Sequence, residues 1–176
     1  MSNANFKKLP VPYYSQRLDV ADPFWQPRSC GVVALKMAMD FLAQNKADYK
    51  TNSLSELIAE GVSYKGHSME HGWYHDALLK IARSHGFAES FRKEWASAEE
   101  KKEALQYIIA FIEDSIPVVA SIKSATGGHL VLLVGYSDDG LWYHDPDAYD
   151  REKGKFKFIA IELFLEAWKG RIIVIK

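Results

Sequence analysis

Pro117 divides this sequence into two kinds of apolar pattern, and that division limits the fold more than any other feature. Before it, apolar residues recur at the three- and four-residue spacing of helices; after it, they gather in short runs rich in β-branched and aromatic residues. The stretch 31–44 is the strongest helical segment. Val33, Met37 and Phe41 mark one face, while Ala34, Leu35, Ala38, Met39 and Leu42 fill most of the others. Such a helix is mostly buried, with Lys36 and Asp40 as its wetter edge. Ser53 with Glu56, and Ser97 with Glu100, are capping-box pairs that start helices running to about Glu60 and Asp114. Residues 73–85 read as a further helix, stopped by Gly86.

Beyond Pro117, the segments 118–122, 129–136, 141–144, 156–161 and 172–175 read as strands. Asp138, Asp139 and Gly140 form a tight turn between the second and third, and 162–168 is a short helix before the last. The expected fold class is α+β, a helical front half packed on an antiparallel sheet. At 176 residues the chain fits a single domain, 1–176, with enough core to dispense with disulfide or metal staples. A net charge of −1, with no basic cluster beyond Arg92 and Lys93, argues against nucleic acid and anionic membranes as partners. No apolar run approaches the length needed to span a bilayer.

The chemistry centres on Cys30, the one cysteine, which lies where the turn-rich segment 8–29 runs into the helix, with Gly31 directly after it. A helix N-terminus favours the thiolate, as does a neighbouring imidazolium. His129 opens one apolar strand, and Asp145 follows another and precedes Pro146. Thiol, imidazole and carboxylate in this order are what nucleophilic thiolate catalysis needs: a nucleophile, a base that later protonates the leaving group, and an acid that orients the base. Gly127 and Gly128 leave room for a substrate backbone. The backbone N–H of Cys30 is a natural oxyanion donor, and either Gln16 or Gln26 offers a second; spacing does not choose between them. Each residue taken singly also has a plain structural reading, as inert core thiol, core histidine or turn starter. Only the complete set makes the catalytic case.

The segments that carry these residues resemble one family. Val11-Pro12-Tyr13-Tyr14-Ser15-Gln16, Cys30-Gly31-Val32-Val33-Ala34-Leu35, the run from Gly127 to Tyr136, and Asp145-Pro146 are similar to the papain-like cysteine peptidases of the bacteriocin-processing family, in its free-standing branch. Gly72-Trp73 and Trp168-Lys169-Gly170-Arg171 also resemble that branch. The resemblance implies a papain-like fold, with Cys30 as nucleophile, His129 as base, Asp145 as orienting acid and Gln16 in the oxyanion hole. The fourteen positions between Gln16 and Cys30 exceed the spacing of the transporter-linked members, so the loop holding Trp25 and Pro27 must fold away or shape the substrate groove. Those members cut double-glycine leaders beside an exporter.

The function this implies is hydrolysis of a peptide or protein through a thioester, with no metal or cofactor. Acyl transfer from the same thioester, or a non-catalytic peptide-binding module, are the alternatives. His67-Ser68-Met69-Glu70-His71 also fits an H-x-x-E-H zinc-peptidase pattern, extended by His75, but Gly66 and Gly72 bracket it and argue for a loop. His85 and His144 read as structural or exposed. A single cysteine fits a reducing compartment such as the cytoplasm. Secretion stays open because residues 1–4 resemble a cloning remnant behind a removed leader, and no pattern speaks to the oligomeric state.

Overall fold

The computed structural model describes residues 6–44, 46, 49–50, 52–125 and 127–176. Strand β1 (Lys7–Lys8) and a 3-10 turn at Gln26–Arg28 precede helix α1 (Cys30–Leu42). Helix α2 (Leu54–Ser63), the hairpin β2 (His67–Ser68) and β3 (Gly72–Trp73), and α3 (His75–Ser84) follow. Next come β4 (Phe91–Glu94), α4 (Ala98–Glu113), β5 (Val118–Ser124), β6 (Gly127–Tyr136) and β7 (Gly140–His144). The chain ends with α5 (Arg151–Gly154), β8 (Lys157–Ala160), α6 (Ile161–Ala167) and β9 (Trp168–Val174). Seven strands form one antiparallel sheet in the order β4-β9-β5-β6-β7-β8, with β1 added to β6, and β2 pairs with β3 in a separate ribbon. This is the α+β arrangement of helices packed on an antiparallel sheet.

Both expected capping boxes are present, at Ser53 with Glu56 and at Ser97 with Glu100. Each satisfies two backbone donors at a helix start, where four would otherwise lack partners. Helix α1 is buried over most of its length, with Val32, Val33, Met37, Ala38 and Met39 fully enclosed. It packs on β6 and β5, and α2 and α3 pack against it. Helix α4 packs on the same two strands. Residues 130–136 of β6 are buried without a break, so both faces of this strand are covered. Burying each large side chain of α1 contributes about 1.5–3 kcal/mol, which is why the strongest apolar pattern becomes the central helix.

Three expectations change. Lys36 and Asp40 are not a wet edge: the lysine is 6% exposed and its Nζ lies 2.8 Å from Asp40 Oδ2. The hydroxyls of Tyr14 and Tyr49 donate to Asp40 at 2.8 and 2.9 Å, from segments whose approach α1 alone does not announce. Helix α3 starts at His75 instead of Trp73, because Gly72 at φ 72° and Trp73 pair back onto Ser68 and His67. The Trp73 indole lies flush against Gly61, where an added Cβ would meet Cζ3 at 2.4 Å, and its N–H donates to the Arg28 carbonyl at 2.8 Å. Strand β9 begins at Trp168 instead of Ile172. Ser121 pairs with Arg171 but Ile122 pairs with Trp168, so Lys169 and Gly170 form a bulge.

Candidate active site

Cys30 is the first residue of α1 and is half-buried. Its backbone N–H belongs to the first helical turn, whose donors have no partner within the helix. His129 stands near the start of β6, whose buried stretch packs beneath α1. Asp145 directly follows β7, the strand that pairs with β6. Sheet pairing therefore brings imidazole and carboxylate together across sixteen positions of sequence, with His129 Nε2 donating to Asp145 Oδ1 at 2.8 Å. The Cys30 side chain lies close enough to the same ring to favour its charged form. With Nε2 committed to Asp145, Nδ1 is the atom left for sulfur.

The electrostatics follow from these contacts. Burial disfavours the His129 imidazolium, but its bond to Asp145 and the influence of the Asp145 and Cys30 side chains outweigh it and raise the pKa to about 10. Burial pushes the Asp145 carboxyl upward; hydrogen bonds with His129 and Lys157 prevail and bring it down to about 2. Both shifts favour an imidazolium beside an ionised carboxylate.

Gln16 is 1% exposed, and its backbone N–H donates to the Pro146 carbonyl at 2.8 Å, beside Asp145. Ser15 Oγ donates to the Ala148 carbonyl, Arg17 pairs with Asp147, and Arg151 pairs with Asp19. These ties seat the Gln16 segment against the turn after β7. Gln16 Oε1 is buried with no hydrogen-bond partner among the described residues. An unsatisfied buried acceptor costs about 1–3 kcal/mol, so an amide held this way calls for an explanation. Gln26, by contrast, spends its Nε2 on the Val20 carbonyl at 3.0 Å. Trp25, His67 and Trp73 contact one another through their rings, with centroids 5.0–5.8 Å apart, so the loop forms an aromatic wall with the hairpin.

Lys157 is the contact that the sequence did not signal. Its Nζ lies 2.7 Å from Asp145 Oδ2, the oxygen His129 leaves free. The pairing of β7 with β8, which sets Lys157 opposite Tyr143, creates this proximity, and no local motif records it. Tyr13 also donates to the Asp145 carbonyl at 2.8 Å. His67 and His71 lie on the β2–β3 hairpin, so the H-x-x-E-H pattern does not share a helix face.

Sheet, helix and the Cys30, His129 and Asp145 cluster together define a papain-like fold. The model of the Peptidase C39-like family matches residues 8–171, and the chain belongs to that family. Among solved structures, a C39-like peptidase from Bacillus anthracis is similar at TM-score 0.63 and 16% identity, over 97% of this chain and 98% of that one. The peptidase domain of Streptococcus ComA, a bifunctional ABC transporter involved in quorum sensing, is similar at TM-score 0.58 and 18% identity, over 85% and 92%. UfSP from C. elegans aligns at TM-score 0.66 and 14% identity over 99% of this chain, but over 34% of its own. A comparison with curated proteins gives no significant match. Among the described residues, no helix is long and apolar enough to cross a membrane.

Proposed function

We propose that this protein is a cysteine peptidase that hydrolyses peptide bonds through Cys30, His129 and Asp145, with Gln16 completing the oxyanion hole. The observation that carries the reading is an imidazole bonded to a carboxylate, with the only thiol of the chain close enough to act on its charge. The Cys30 thiolate attacks the scissile carbonyl carbon, and the π electrons move onto oxygen. In this reading the Cys30 N–H and the Gln16 side-chain N–H donate to that developing charge. His129 then gives its proton to the amine as the C–N bond breaks, leaving a thioester on sulfur. Water enters, His129 takes one of its protons, hydroxide oxygen bonds to the carbonyl carbon, and the C–S bond breaks to return the thiolate. Asp145 holds the ring in orientation throughout, and Lys157 fixes Asp145 by its second oxygen.

Two measurements test this reading. Iodoacetamide labels Cys30, and His129→Ala slows that labelling on the order of tenfold or more, because a neighbouring imidazolium activates a thiol. The protein cleaves a mixed peptide library, and Cys30→Ala abolishes cleavage. Labelling indifferent to His129, or cleavage that survives loss of Cys30, would overturn the proposal.

A further inference from the structure

Beside the strand that leads into His129, an open pocket of about 350 Å³ is lined by Ala96, Lys101, Lys123, Trp168, Lys169 and Arg171. Four of its six residues are cationic in a chain whose net charge is −1. Arg171 approaches Glu94 at 3.7 Å, while among the described residues no ion pair reaches Lys101, Lys123 or Lys169. Lys101 is held in place by the carbonyls of Leu165 and Trp168, at 3.1 and 3.0 Å, which use two of its three donors. The cluster is therefore fixed at its base and unneutralised at its mouth.

Its placement comes from the β9 bulge. Two extra residues let Lys169 leave the ladder, and its Nζ comes to rest 3.2 Å from where a Cβ on Gly128 would stand. Gly128 also pairs with Lys123 and immediately precedes His129. On the neighbouring row, His129 pairs with Ile122, and Ile122 with Trp168. Two strand spacings put the wall of the pocket about 10 Å from His129, the length of roughly three extended residues.

We propose that this pocket binds acidic side chains of the polypeptide substrate, about three residues from the bond that is cut. The proposal rests on the peptidase reading and extends it to a substrate class. A peptide suits the position better than nucleic acid does, because the pocket is short, lies next to Gly128 and the open space beside Gly127, and lacks a continuing basic stripe.

The test uses two arms. In the first, the full chain carrying Cys30→Ala is titrated with fluorescein-labelled hexaglutamate, hexaglutamine and a six-nucleotide single strand. Hexaglutamate binds on the order of tenfold more tightly than hexaglutamine, salt weakens it, and Lys123→Glu with Lys169→Glu removes the difference. Equal binding of the two peptides, no effect of the double substitution, or tighter binding of the oligonucleotide would overturn the assignment. In the second arm, glutamate is moved one position at a time along a cleaved peptide. The ratio of kcat/KM for Glu over Gln peaks three residues from the cut and falls to about one in the double variant. Cleavage with no acidic preference removes this proposal alone, whereas acid-selective binding with no cleavage removes the peptidase reading and, with it, the placement relative to a cut bond, leaving an acidic-peptide site.

Discussion

His129 and His144 lie on adjoining strands, and their surroundings drive them to opposite charge states. His144 is fully buried, accepting from the Phe156 N–H at 3.0 Å on Nδ1 and donating to the Val11 carbonyl at 3.1 Å from Nε2. One acceptor and one donor suit only the neutral ring, and burial takes its pKa down to about 4. His129 is also largely enclosed, but a carboxylate replaces the carbonyl and a thiol faces the other side, so it is held charged to about 10. Burial is common to both. The partner decides whether a histidine becomes structural or fit for proton transfer.

Replacing the carboxylate strikes this contrast hardest. Asp145→Asn keeps the shape but removes the charge, and kcat/KM for peptide cleavage falls about 10³-fold with KM little changed. A loss under tenfold would mean that Asp145 does not support the imidazolium. His144→Leu leaves the Val11 carbonyl and Phe156 N–H unpaired in the core and lowers unfolding free energy by about 2–4 kcal/mol in urea titrations. An unaffected midpoint would remove the structural role.

The pH dependence of stability sharpens the difference, because the two rings act with opposite sign. Below the ordinary value of 6.5, the unfolded chain binds a proton that buried His144 refuses, so stability falls as pH drops from 6.5 to about 4. His129 keeps a proton that the unfolded chain releases, so its contribution is full below 6.5 and is lost as pH rises to about 10. Each slope is at most about 1.4 kcal/mol per pH unit. Urea midpoints across pH read them out: His144→Gln flattens the acid limb and His129→Gln the alkaline limb. Asp145 adds a loss at lower pH, as the medium falls from 3.8 through about 2. The smallest expected effect belongs to Lys157→Met, which frees one Asp145 oxygen and lowers kcat about threefold with a shifted pH profile. Lys157→Arg restores both, and a Met variant with unchanged profile would reduce Lys157 to a surface ion pair.

What was legible in the sequence follows from where each residue stands. Cys30, His129 and Asp145 each sit at the end of a well-patterned element, so boundaries drawn from periodicity already fell beside them. The difference between Gln16 and Gln26 is not local: the Val20 carbonyl occupies the Gln26 amide, and the Pro146 carbonyl seats the Gln16 segment. Lys157 was hidden for the same reason, since only the β7–β8 register carries it to Asp145. Strand β4, Phe-Arg-Lys-Glu, shows little apolar alternation because it is an edge strand, where charge protects against further pairing. The wetter edge assigned to α1 failed because Tyr14 and Tyr49 seal Lys36 and Asp40 from outside the helix.

The Tyr13 hydroxyl reaches the Asp145 carbonyl across 132 positions of sequence, and the Gln16 bond to Pro146 closes a loop almost as long. Closing so large a loop is slow compared with forming the helices on either side. During renaturation, helical circular dichroism should therefore return before thiol reactivity does. A chain emerging from the ribosome would carry its sulfur unarmed until the C-terminal strands had docked.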